Sequence, residues 1–109
     1  RHTTPPRWEL FIVMSGRMVF LVFDDDGRIT QRHELAAGSE IFGVELEAGC
    51  WHSLAALTPA VMFELKPGPY SVAEDKDFAD WAPEEGRPGS EELVAWYTTA
   101  AVGDRFTVA

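Results

Sequence analysis

Glu9 stands with Gly16 seven positions after it, and much further along the chain comes Gly49-Cys50-Trp51-His52. A carboxylate on one β-strand and an imidazole entering another are what a small β-barrel needs to hold a divalent metal in its mouth. With His2 upstream, two imidazoles and one carboxylate suit Zn, Fe, Mn or Ni and leave positions open for water or substrate. Glu9 lies in an apolar strand, where a carboxylate is costly unless paired, protonated or metal-bound. The competing reading for it is an ion pair to Arg7 or Arg17. His52 follows a glycine turn at the start of a strand, from which a side chain can face a barrel mouth; its alternative is a structural imidazole. Cys50 shares that side of the strand and reads as a small buried hydrophobe rather than a thiolate. His33 reads as a surface residue. Asp24 to Asp26 form a solvated hairpin, because the other ligands of a Ca loop are missing.

The elements that must position these groups are short and β-rich. Trp8 to Ser15 is apolar and ends at Gly16; Met18 to Phe23 follows at once and gives way to an Asp-Gly hairpin turn at Asp24–Gly27. Arg28 to Leu35 alternates apolar and polar residues as a half-exposed strand does. Ile41 to Leu46, Trp51 to Leu57 and Ala60 to Lys66 supply three more strands separated by turns. Strands of this length and spacing predict an all-β antiparallel barrel or sandwich. From Pro67 onward, repeated Pro and Gly exclude long regular elements. Ser90 is the expected N-cap of a short helix whose Leu93, Trp96 and Tyr97 share one face, and residues 100–109 are weakly patterned. Phe11, Phe20, Phe63 and Trp51 read first as core, with the lining of a pocket for a sugar or base ring as the functional alternative.

At 109 residues the chain makes one domain. Nine Lys+Arg against eighteen Asp+Glu, a net charge of -9, argue against nucleic acid and against an anionic membrane surface. No apolar run reaches the length of a bilayer span. The single cysteine forms no internal disulfide, and the chain carries no signal peptide, so the expected compartment is the cytoplasm. Leu10 to Met14 and Met18 to Phe23 are apolar on both faces, whereas a face in water is polar at alternate positions. Either the aromatic-rich tail or a second copy of the chain must cover the surplus, and a homodimer is the expected answer.

These residues also carry a resemblance. Glu9-x6-Gly16 matches the second half of the first cupin motif, in which a His-x-His pair precedes a Glu and then a Gly. Gly49-Cys50-Trp51-His52 matches the Gly-x-x-His of the second. More narrowly, Trp8-Glu9-Leu10-Phe11, Phe63-Glu64-Leu65-Lys66-Pro67-Gly68-Pro69-Tyr70, Asp75-Lys76 and Trp81-Ala82-Pro83-Glu84-Glu85-Gly86 resemble segments of the WbuC family of cupin-fold metalloproteins. The chain departs from the motif pattern at Glu47, in place of Pro, and at Ala56, in place of Asn. The gap from His2 to Glu9 is also longer than usual. The resemblance implies a cupin, a double-stranded β-helix or jelly-roll barrel, with an irregular C-terminal extension and a short helix. It implies a divalent metal held by His2, Glu9, His52 and a further His before Arg1, the N-terminal part of the domain being expected to precede the chain. It further implies a small-molecule, sugar-derived ligand in surface-polysaccharide (O-antigen) biosynthesis. Phe63, Tyr70 and Lys76 are the candidate ligand-binding residues. If the protein is an enzyme, the metal would act as a Lewis acid in isomerisation, epimerisation or hydrolysis; no general base stands out. A non-catalytic dimeric sugar-binding or regulatory module, and an Fe-dependent dioxygenase, are the alternatives.

Overall fold

A computed structural model of the chain describes Arg1 and residues 7–68, 78–83 and 88–106. Its strands are β1 (Glu9–Ser15), β2 (Arg17–Phe23), β3 (Ile29–Ala36), β4 (Gly43–Leu46), β5 (Trp51–Ala56) and β6 (Val61–Leu65), followed by one helix, α1 (Ser90–Tyr97). The strands form two antiparallel three-stranded sheets in the orders β4-β1-β6 and β3-β2-β5. The all-β expectation therefore holds. A closed barrel is not what the strands make: among the described residues no ladder joins the two sheets, and β5 and β6 lie at their edges. The sequence pattern explains this arrangement. β1 and β2, the two strands without a polar face, each become the centre of a separate sheet.

The tight turn between them needs glycine. Gly16 has φ of 77°, and a Cβ there would lie 2.1 Å from the Pro59 carbonyl oxygen. The next hairpin is built as the Asp-Gly pattern predicts. The Asp24 carboxylate accepts from the backbone N–H of Asp26 at 3.0 Å and of Arg28 at 2.9 Å, an Asx-type turn. Gly27 also takes a positive φ, and a side chain there would collide with the Trp81 ring, 2.7 Å from the Cβ position.

Period-two alternation then sorts the side chains into layers. Phe11 and Val13 from β1 meet Met18, Phe20 and Val22 from β2 between the sheets, with Leu35 and Leu46 closing the ends. The opposite face of β2 (Val19, Leu21 and Phe23) packs under α1 through Leu93 and Tyr97, with Trp81, Trp96 and Phe106 alongside. The stack is sheet, sheet, then helix and tail.

A helix of eight residues is too short to persist alone. Gly89, with φ of 89°, precedes it rather than a side-chain cap, so Ser90 is its first residue and not the expected N-cap. Its C-terminal end is held from another element. Arg32 of β3 donates to the carbonyls of Tyr97 (3.0 Å), Ala100 (2.9 Å) and Thr98 (3.0 Å), and pairs with Glu34 at 2.8 Å. A guanidinium here meets the negative end of the helix dipole, where α1 has no basic residue of its own. Arg32→Met is expected to cost about 1.5–3 kcal/mol, the scale for hydrogen bonds to a charged donor. Urea unfolding checks this, and a loss within about 0.5 kcal/mol, the scale of an ordinary surface substitution, shows the cap to be dispensable.

Residues 103–106, left open in sequence, attach to the start of β3. The Ile29 N–H donates to the Asp104 carbonyl at 2.9 Å, and Arg28 bridges Arg105. No helix among the described residues is long and apolar enough to cross a membrane.

Candidate functional site

Register decides which groups meet between the sheets. On β1, Glu9, Phe11 and Val13 face inward; on β5, His52 pairs with Val22 and so shares the inward face of β2. At one end of the interlayer the two chemistry-bearing residues converge. His52 Nε2 lies 3.2 Å from Glu9 Oε1, with both side chains largely out of water. The other ring nitrogen, Nδ1, lies 3.1 Å from the Cys50 carbonyl oxygen. That carbonyl can only accept, so Nδ1 carries a proton and Nε2 is the nitrogen presented to Glu9. Phe11 stands 6.1 Å from the imidazole and forms its apolar floor.

The electrostatics follow from this setting. Burial pushes the His52 pKa down, but its hydrogen bonds to Cys50 and Glu9, with the charge of Glu9, outweigh that and raise it from 6.5 to about 9. At neutral pH the pair without metal is therefore an imidazolium–carboxylate ion pair. Of the arginines considered as partners for Glu9, Arg17 lies instead beside Glu34, at 3.8 Å.

The pair sits in a cleft of about 990 Å³ that wraps around the β5 edge, a size within the range of ordinary ligand sites. Inward-facing Glu9, His52 and Glu64 form one wall, while Ser53 of β5 and Tyr97 of α1 belong to the other. Glu64 lies opposite Phe11 in the β1–β6 ladder and 3.9 Å from Lys66 Nζ. Burial raises the Tyr97 pKa, partly offset by its hydrogen bond to Ser53. At the mouth, the indole N–H of Trp51 donates to Asp25 Oδ1 at 3.0 Å and that of Trp81 to the Asp25 carbonyl at 3.1 Å, with the rings edge to face. The Arg1 guanidinium stacks 3.9 Å from the Trp51 ring centroid.

Of the residues singled out in the sequence, Glu9 and His52 come together. His2, Tyr70 and Lys76 lie outside the described residues. Phe63 pairs with Ile12 and points to the outer face of its sheet, where it is half exposed and apart from the cleft. Cys50 is half-buried as a free thiol, and His33 bonds to Gln31 on β3. Among the described residues no three His, Cys, Asp or Glu side chains gather as a metal cluster. Sequence reasoning passed over Glu64, Ser53, Tyr97 and Asp25 as site residues. Glu64 was open to inference, because alternation along Phe63-Glu64-Leu65 must turn it opposite to its neighbours. The other three depend on where α1 and the hairpin dock.

The match to known families is partial. The model of a domain of unknown function, DUF6016, matches residues 1–35, which takes in β1, β2 and most of β3 and so includes Glu9 but not His52. No curated protein and no solved structure matches the chain.

Proposed function

We propose that this chain is a cupin-type protein that binds a divalent metal through Glu9 and His52 and a small, oxygen-rich ligand in the adjoining cleft. The observation that carries the reading is the placement of Nε2 against Oε1 at 3.2 Å, with Nδ1 anchored on the Cys50 carbonyl. A metal-ligating imidazole almost always donates its second N–H to a carbonyl or carboxylate in this way, which fixes its tautomer and aim. One nitrogen and one carboxylate oxygen fit half of a mixed N/O site for Zn, Fe, Mn or Ni. His2 is a further ligand that the cupin resemblance supplies.

A bound divalent ion would supply Lewis acidity toward ligand oxygens. The chain's own residues do the rest. Glu9 balances positive charge at the floor of the cleft, Phe11 keeps water from that floor, and Cys50 holds the imidazole in one orientation. The Ser53–Tyr97 pair presents hydroxyls from the opposite wall. Trp51 and Trp81 offer ring faces of the kind that cover the apolar side of a sugar. Together with the resemblance to the WbuC family, these features support a sugar-derived ligand in surface-polysaccharide biosynthesis. If the protein is catalytic, the class is isomerase- or epimerase-like. The second reading is a non-catalytic binding module, favoured by one observation: without metal, Glu9 and His52 already satisfy each other as an ion pair.

Metal content of untagged protein, followed by calorimetric titration with Mn, Zn, Ni and Fe(II), separates the readings. The parent chain is expected to bind, and Glu9→Gln to lose at least the roughly 10- to 100-fold in affinity that follows disturbance of a supporting residue. Redox-active Fe with an open position favours the dioxygenase alternative. A parent chain that binds none of these ions leaves the binding module.

A further inference from the structure

The outer face of the β4-β1-β6 sheet is apolar where water would favour polar side chains. Trp8, Leu10, Ile12 and Met14 share that side of β1 and its approach, and β6 adds Val61, Phe63 and Leu65 in register with them, Leu10 against Leu65 and Ile12 against Phe63. Met14 is 65% exposed, Val61 59%, Phe63 49% and Leu65 46%. Five of the ten exposed large apolar side chains among the described residues, Trp8, Met14, Val61, Phe63 and Leu65, belong to this one surface. The formal charge on the sheet face is Glu45, at its edge opposite Leu10.

We infer that this face is the interface of a two-fold symmetric homodimer, with β1 of each copy crossing near the axis. The exposed fractions of these side chains come to on the order of 500 Å², in the upper part of the roughly 300–600 Å² of the largest patch on a typical monomer, a patch that is often functional. That is more than half of the roughly 800 Å² per partner of a standard stable interface, and the partly exposed Leu10 and Ile12 add to it. Among the described residues, the segment able to cover a sheet is used elsewhere: α1 and the residues flanking it lie on the outer face of the β3-β2-β5 sheet, over Val19, Leu21 and Phe23. Of the two strands that read as apolar on both faces, β2 is thus covered from within, and no described residue covers β1 in the same way. A flat apolar sheet is self-complementary, and two such sheets pack face to face with strands about 30° apart. A second copy also fits the charge. The strands of this face carry one negative charge, Glu45 at the edge, against -9 for the whole chain, so two copies repel mainly at the rim, and that repulsion is screened by salt.

The inference does not rest on the metal reading, although β1 serves both: Leu10 is turned toward the second copy and its neighbour Glu9 toward His52. Sedimentation equilibrium of the 109-residue chain between 1 and 100 µM is expected to give about twice the 12.1 kDa chain mass. Association is expected to tighten as NaCl rises from 20 to 500 mM. Phe63→Lys and Leu65→Lys replace exposed side chains, so folding tolerates them; each is expected to weaken association at least 100-fold with unchanged far-UV circular dichroism. Val102→Lys, equally exposed but off this face, serves as the control and is expected to leave association unchanged. A monomeric parent at 100 µM overturns the inference. So does a dimer that survives both face substitutions, one that Val102→Lys weakens as much, or one that loosens with added salt.

Discussion

Replacing His52 by Ala is expected to destabilise the metal-free protein by about 3–5 kcal/mol at pH 7, the cost of removing one partner from a buried ion pair. The reason is Glu9. Its side chain is almost fully buried between the sheets, and the imidazolium 3.2 Å away is a counter-charge to it. Without that charge, the carboxylate either stays ionised in an apolar layer short of one counter-charge or takes up a proton, and both cost stability at neutral pH. The pH profile supplies the companion measurement. Because His52 titrates near 9 in the folded chain and near 6.5 when unfolded, its contribution is complete below about pH 6.5 and is lost as pH rises through 9. Over that window the native state holds the extra proton, so stability falls with pH, by as much as about 3 kcal/mol in total at about 1.4 kcal/mol per pKa unit. Glu9→Gln removes the charge that favours the imidazolium and is expected to flatten the slope. Urea unfolding from pH 6 to 9.5 measures all three proteins. A His52→Ala loss under 1 kcal/mol, or a parent profile without slope, would contradict the buried ion pair.

Phe11→Ala is expected to cost about 3–5 kcal/mol as well, here through a cavity rather than a charge. Phe11 is 1% exposed at the centre of β1, its ring tilted against Phe20 at 4.9 Å. Phe20 lies on the middle strand of the facing sheet and is wholly buried, so neither backbone can close the space a methyl group leaves behind. Phe11→Leu, which keeps most of the volume, should lose clearly less. Equal losses for the two substitutions would mean that the interlayer collapses around the site and that Phe11 is not its structural wedge.

Both expectations concern residues whose significance differs in how far it could be read beforehand. Local pattern carried the strands well. Gly16, Asp24-Gly27 and Gly49 stop or turn the chain wherever alternation breaks, and the six runs of β-formers became β1 to β6 with ends shifted by a few residues. Glu9 attracted notice as an acid in an apolar strand, and His52 as an imidazole just past a glycine. Their convergence was a matter of register. One residue of slip in the β2–β5 ladder would have turned His52 toward α1 and away from Glu9. Phe63 illustrates the same rule with the opposite outcome: its parity on β6 places it outside, on the face assigned here to a second copy.

From its residues alone, then, the chain determined its class and its punctuation: an antiparallel β protein, an acid and an imidazole in strands, more apolar surface than one layer can hide, and a tail unsuited to long elements. These follow from periods of two, from glycine conformations and from charge, each acting over a few neighbours. Tertiary structure decided the open pair of sheets in place of a barrel, the burial of β2 beneath α1, the grip of Arg32 on that helix, and the outer face of β1 that no described residue covers. Those outcomes depend on which surfaces pack against which, and packing is settled by the summed fit of residues far apart in the chain, on which no local window bears.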